Sequence, residues 1–206
     1  MLVKTMLVDD HPTMIMALKS IMSSLISFEV IETASNGTSC LMLCNLLNPD
    51  LVILDLDMPD MDGFDVIRRL RAKHPNIKIL IFTSLDEKTY GNRVRTIGAH
   101  GYVNKSVSNK VFISACTSVA SGFCFYSIAS MDYLDVEKNE ALKSLSQREF
   151  QVLKHLGKGL GNHEISDTLH ISHKTVSTYK MRVFEKLGID NMADLICFCR
   201  ENKVCD

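Results

Sequence analysis

No apolar run in this 206-residue sequence approaches the ~20 residues needed to cross a bilayer, so no helical membrane span and no membrane partner are expected. A disulfide framework is also lacking. The seven cysteines are odd in number and irregular in spacing, which argues against a secreted disulfide-built fold. Cys197 and Cys199 form a lone C-x-C without the second pair that a tetrahedral zinc site requires. Most of the cysteines therefore read as small buried thiols. The opening residues Met1 to Thr5 run straight into a strand-like stretch, unlike a signal peptide, and the expected location is the cytoplasm. Net charge is nearly absent too, at -1.

What is present is ordinary in bulk and uneven in distribution. An apolar share of 46% and a charged share of 23% fit a folded globular protein of one large or two small domains. The first half concentrates acids: Asp9, Asp10, Asp55, Asp57, Asp60, Asp62 and Asp65. Between His173 and Leu187 the charges are Lys174, Lys180, Arg182 and Lys186 against Glu185 alone. An acidic front and a basic stretch behind predict different partners for the two halves.

Short apolar runs at Met6–Val8, Val30–Ile31, Leu51–Leu54, Ile79–Phe82 and Gly101–Val103 alternate with amphipathic stretches. Five strands alternating with five helices predict an α/β doubly wound, five-stranded parallel sheet, flavodoxin-like, over residues 1–124. Residues 125–142, mixed polar and acidic, read as a linker. Residues 143–206 change to an all-α pattern: Ser146 and Glu149 form a capping box, Asn162 is expected to cap a short second helix, and Ser172 a third. Two short helices at a tight turn, the second one basic, are the helix-turn-helix pattern.

On the predicted sheet, Asp9 and Asp10 end the first strand, Asp55 the third and Thr83 the fourth, with Lys105 just past the fifth. Parallel sheets open their crevice at the carboxyl ends of strands, so these side chains are delivered to one edge. Clustered carboxylates repel unless a cation lies among them, and hard oxygen donors favour magnesium over zinc. A carboxylate beside magnesium, a hydroxyl and an ammonium is equipment for phosphoryl transfer onto aspartate. The acidic pair, Asp55 with Met58-Pro59 and Gly63, Thr83-Ser84, Gly98-Ala99 and Gly101 to Lys105 together resemble the receiver domain of bacterial two-component response regulators.

The resemblance implies that Asp55 is the phosphoacceptor. It implies magnesium (Mg2+) held by Asp10, Asp55 and the backbone carbonyl of Asp57, with Asp9 nearby or acting through water. Thr83 and Lys105 would hold the phosphoryl group, and Tyr102 would be an aromatic switch drawn inward with Thr83. Ser106 stands where the family usually has proline. Asp60 and Asp62 read as solvated turn acids, and His11, His74 and His100 as surface or packing residues. Asp55-Leu56-Asp57 also matches the haloacid-dehalogenase phosphatase motif, but that chemistry needs an acidic pair downstream of the lysine, and no acid follows Lys105 until Asp132.

From Leu145 to about Asn202 the sequence resembles the LuxR-type (NarL/FixJ-type) helix-turn-helix, and the run Lys174 to Lys180 looks most like virulence regulators of the BvgA/EvgA kind. With Val176, Tyr179, Val183 and Leu187 facing the core, Lys174, Ser177, Thr178 and Met181 are expected in a major groove. Lys180, Arg182 and Lys186 are expected on phosphates. The resemblance implies a DNA-binding transcriptional regulator that is not an enzyme in its own right. A sensor histidine kinase or phosphotransfer protein would phosphorylate it, and it would bind double-stranded promoter DNA as a homodimer on paired half-sites. A regulator whose receiver is structural and whose DNA binding ignores phosphorylation is the other reading of the same residues.

Overall fold

The computed structural model describes residues 2–127, 140–202 and 204–205. The chain divides into two compact units, Met1–Asp132 and Tyr133–Asp206. Most of the expected linker, residues 128–139, lies outside the described residues. Its flanks differ from expectation. Phe125 to Ser127 are hydrogen-bonded into the first unit, and a short helix begins at Glu140.

In the first unit the strands β1 (Val3–Val8), β2 (Phe28–Ala34), β3 (Leu51–Leu54), β4 (Lys78–Thr83) and β5 (Gly101–Asn104) alternate with helices. The helices are α1 (Pro12–Ser23), α2 (Gly37–Leu47), α3 (Gly63–Lys73), α4 (Glu87–Thr96) and α5 (Asn109–Ala120). The sheet has the order β2-β1-β3-β4-β5 and every pairing is parallel, as the alternating pattern predicts. All four side chains of β3 are at most 1% exposed, because helices cover both faces of a parallel sheet. Leu51 and Ile53 join Leu7, Leu80, Phe82 and Val103 in a core closed by Leu18, Met22, Phe112 and Val119. Val52 and Leu54 alternate to the opposite face. There Met6 Sδ lies 3.8 Å from Cys44 Sγ of α2, and α3 buries Phe64, Val66, Ile67 and Leu70.

This packing aims the strand ends. Val8 pairs with Leu54, Leu54 with Ile81, and Thr83 with Asn104. Asp55 N donates to Val8 O at 2.9 Å and Lys105 N to Thr83 O at 2.8 Å, extending the ladder just past the strands. Asp60 is exposed as expected and Asp62 partly exposed, and both also close helix N-termini. Asp60 accepts from Gly37 N and Thr38 N at 3.0 and 3.1 Å, and Asp62 accepts from Phe64 N at 2.8 Å. Carboxylates suit the positive end of a helix dipole, which is why turn acids settle there.

The second unit holds α6 (Glu140–Ser144), α7 (Gln147–Gly157), α8 (Asn162–Leu169), α9 (His173–Leu187) and α10 (Met192–Glu201). Ser146 and Glu149 form the expected capping box. Asn162 does not cap α8. Gly161 takes that position and donates its amide to Glu164 Oε2 at 2.7 Å, while Asn162 donates to Ser177 Oγ at 3.1 Å. Ser172 caps α9 as expected, and Gly188, at φ +65, ends it in the left-handed conformation that glycine adopts without strain. Val152, Leu153, Leu156, Ile165, Val176, Val183, Leu195 and Cys199 are each no more than 1% exposed and form the core of the helices.

Candidate functional site: an acidic pocket and a basic helix

Asp9 and Asp55 are almost fully enclosed, at 2% and 3% exposure, and Thr83 is wholly buried. The Lys105 ammonium lies between the two acids, 2.7 Å from Asp9 Oδ2 and 2.6 Å from Asp55 Oδ2. Asp55 Oδ1 accepts from the Asp57 amide at 3.2 Å. Burial pushes the Asp55 carboxyl above its ordinary value, against bonds from Lys105, Thr83 and the Asp57 amide that favour the anion. For Lys105, burial pulls the ammonium down, but Asp55 and Asp9 outweigh it and hold it above its ordinary value. Lys105 therefore stays a cation and Asp55 is a poorly solvated, more basic carboxylate.

Asp9, Asp10, His11 and Asp55 offer ligand atoms all within 4.8 Å of one another. Asp10 Oδ1 is enclosed and accepts no hydrogen bond, although His11 Nδ1 lies 2.8 Å away. His11 is at the surface as expected, and the turn after Asp10 also places it on the acids. Its amide donates to Asp9 Oδ1 at 2.9 Å and its Nδ1 lies 3.2 Å from the same oxygen. Asp57 is exposed, and its carboxylate is not in the group. His100 is a packing residue, as expected: its Nδ1 accepts from Ile79 N at 3.1 Å, and burial with Arg71 and Lys78 nearby pushes its pKa down to about 4.

Tyr102, the expected aromatic switch, is enclosed beside the loop after β4. The residue is 1% exposed and its hydroxyl donates to Leu85 O at 3.0 Å, so the ring lies inward. Asn104 Nδ2 donates to the same carbonyl at 2.9 Å, and Leu85 N donates to Thr83 Oγ1 at 3.4 Å. The loop after β4 is thus tied to Thr83 on one side and to Tyr102 on the other.

On α9, Val176 and Val183 are fully buried, with Tyr179 and Leu187 half-buried behind them. Lys174, Ser177, Met181 and Arg182 are exposed, and Thr178, partly exposed, completes one outward stripe at helical spacing. Lys180 lies partly buried on the flank, with its ammonium 5.7 Å from the Phe184 ring centre.

Lys186 has partners that the sequence does not announce. Although the residue is exposed, its ammonium donates to Glu149 Oε2 at 2.6 Å and to Ser144 O at 3.1 Å, so the charge assigned to phosphates is engaged within the unit. Glu149 has only 3% of its side chain exposed. Burial would raise its pKa, but Lys186 and the Ser146 cap outweigh burial and hold the carboxyl below its ordinary value. A lowered folded pKa gives stability that is present above the unfolded value and lost as pH falls through the folded one. Lys186→Ala is expected to destabilise the second unit by about 1–2 kcal/mol near pH 7, discounted because the lysine is partly exposed. Urea unfolding across pH checks this, since the difference from the parent protein should vanish once Glu149 is protonated.

Comparison with known proteins agrees with both halves. Residues 5–117 match the family described as the response regulator receiver domain, and residues 143–199 match the bacterial regulatory proteins of the luxR family. The chain is 30% identical over 200 residues to the DNA-binding transcriptional activator EvgA of Escherichia coli (strain K12), covering 96% of this chain and 98% of that protein. It is 32% identical over 206 residues to the virulence-factor transcription regulator BvgA of Bordetella pertussis (strain Tohama I), covering 98% of each. A solved complex of the two-component response regulator RcsB with DNA shares the fold at TM-score 0.62 and 22% identity, over 97% of this chain and 98% of that one. Another RcsB structure holds two dimers on two parallel DNAs, with TM-score 0.62 and 23% identity over the same shares.

Proposed function

This chain belongs to the two-component response regulators that join a receiver domain to a LuxR-family DNA-binding domain, and on that premise we propose that phosphorylation of Asp55 controls binding of α9 to promoter DNA. The observation that carries the proposal is the buried Asp55 carboxylate bridged by Lys105 to Asp9 at a crevice formed by strand ends. The phosphoryl donor is a phosphohistidine of a sensor kinase or phosphotransfer protein. An Asp55 oxygen attacks phosphorus in line, the phosphorus–nitrogen bond breaks, and the imidazole leaves. Lys105 moves its ammonium from the carboxylates to the new phosphoryl oxygens, and the Thr83 hydroxyl donates to another of them.

Asp9, Asp10 and Asp55 fit a magnesium ion, because they are hard oxygen donors within one ion's reach and Asp10 Oδ1 accepts no hydrogen bond. When bound, magnesium supplies positive charge to the phosphoryl oxygens. Three carboxylates against one ammonium leave the pocket negative, so millimolar magnesium is expected to raise the melting temperature of the parent protein. It is expected to do so far less in an Asp10→Asn, Asp55→Asn protein. Equal shifts in both would remove these residues from the metal site.

For output, two copies on paired half-sites supply the affinity that one small helix-turn-helix lacks, and RcsB, which shares this fold, binds DNA as dimers. Lys174, Ser177, Thr178 and Met181 face base edges, and Lys180 and Arg182 face phosphates. The test is incubation with labelled acetyl phosphate and magnesium, followed by peptide mapping. A phosphoryl group on the Asp55 peptide is expected, and label on any other peptide would overturn the assignment. A second reading, DNA binding independent of phosphorylation, draws on the inward position of Tyr102. Full DNA affinity in an Asp55→Ala protein would favour it.

A further inference from the structure

β5 is the edge strand of the sheet, and its outer edge is not open. The segment that follows α5 returns along it: Phe125 N donates to His100 O at 3.0 Å, and Tyr102 N donates to Phe125 O at 2.8 Å. Gly101 makes room for this, since a Cβ there would stand 3.0 Å from Phe125 O and 2.8 Å from a Leu80 methyl. Two further contacts tie the segment down. Tyr126 donates its hydroxyl to Ala99 O at 2.7 Å beneath the Arg95 guanidinium, which lies 5.8 Å from the ring centre, and Ser127 N donates to Glu87 Oε1 at 2.7 Å. These are the last described residues before the chain continues to the DNA-binding unit.

One partner of this strap is the switch residue Tyr102, and another, Glu87, opens α4. Tyr102 gives its hydroxyl to Leu85 and its amide to Phe125. Glu87 opens α4 directly after the loop that starts at Thr83, and Leu85 within that loop donates to Thr83 Oγ1. A phosphoryl group on Asp55 that draws Thr83 toward it moves Oγ1 away from the Leu85 amide, from which it accepts at only 3.4 Å. Leu85 is pinned on its far side by Tyr102 and Asn104, so the displacement passes to Tyr102 and to the first turn of α4. Those are two of the strap's anchors. We propose that residues Phe125 to Ser127 are a releasable strap: docked on β5 and α4 it restrains the DNA-binding unit, and phosphorylation of Asp55 frees it and lengthens the tether. Glu87 and Tyr126 are positioning residues of this device, which rests on the phosphorylation reading above.

The test uses the full chain with magnesium and acetyl phosphate. Hydrogen exchange at the Phe125 and Ser127 amides should quicken by about fivefold or more on phosphorylation, the lower end of typical coupling between sites. Glu87→Ala, and Tyr126→Phe as a milder variant that keeps the ring, should take label on Asp55 at the parent rate. Both should bind DNA about fivefold more tightly than the parent when unphosphorylated. A protein that is labelled on Asp55 yet shows unchanged or slower strap exchange, or variants with parental unphosphorylated affinity, would overturn the strap and leave the phosphorylation reading standing. Absence of label from Asp55 in the parent would overturn both.

Discussion

Lys105→Ala is expected to slow phosphorylation of Asp55 by about 10²–10³-fold, the usual cost of losing one preorganised charge at a reacting centre. The same change is expected to lower the stability of the receiver by about 3 kcal/mol. Both effects come from one geometry. The Lys105 side chain is 11% exposed and its ammonium is within 2.7 Å of two enclosed carboxylates, so its removal leaves three acids clustered without their cation. Magnesium should restore part of the stability, because it replaces the missing charge, but little of the rate, because Lys105 also has to reach the phosphoryl oxygens. Label uptake and urea unfolding with and without magnesium separate the two. A variant as stable as the parent in the absence of magnesium would show that the bridge carries no structural load.

The second large effect belongs to the other unit. Lys180→Ala combined with Arg182→Ala is expected to weaken DNA binding by about 10–100-fold at physiological salt. It should also flatten the plot of log affinity against log salt by about 2, close to 0.9 for each phosphate that is no longer neutralised. Sequence preference should survive, because it is assigned to Ser177, Thr178 and Met181 on the outward stripe. Titrations at several salt concentrations against a promoter fragment and a scrambled one measure all three quantities. Unchanged affinity and slope would remove α9 from the interface.

What could be read before folding follows from the physics of each element. Asp9, Asp10, Asp55, Thr83 and Lys105 are legible because a parallel sheet brings the carboxyl ends of its strands to one edge, whatever the details of packing. Ser146, Glu149 and Ser172 are legible because capping is local. Three-dimensional partners are not. Glu149 reads as a cap, and nothing in the spacing of residues 149 and 186 announces that Lys186 reaches back to it across the unit. His11 depends on the turn after Asp10, and Asp60 on the approach of α2, neither of which has a sequence period. Phe125 lies in a stretch too short and too mixed to read as a strand, yet a single bridge to Gly101 places it in the sheet. The rotamer of Tyr102 is a property of its cavity, so the sequence reveals the residue but not its position.

The central claim is that chemistry at Asp55 changes what α9 does. One titration tests it most directly: binding of the full chain to a promoter fragment with magnesium, with and without acetyl phosphate, beside the same titration of Asp55→Asn. The phosphorylated parent is predicted to bind more tightly by about 5–150-fold, the usual range of coupling between two sites, and the Asp55→Asn protein to show no response. Equal affinity of the phosphorylated and unphosphorylated parent, with Asp55 shown to carry the phosphoryl group, would contradict it.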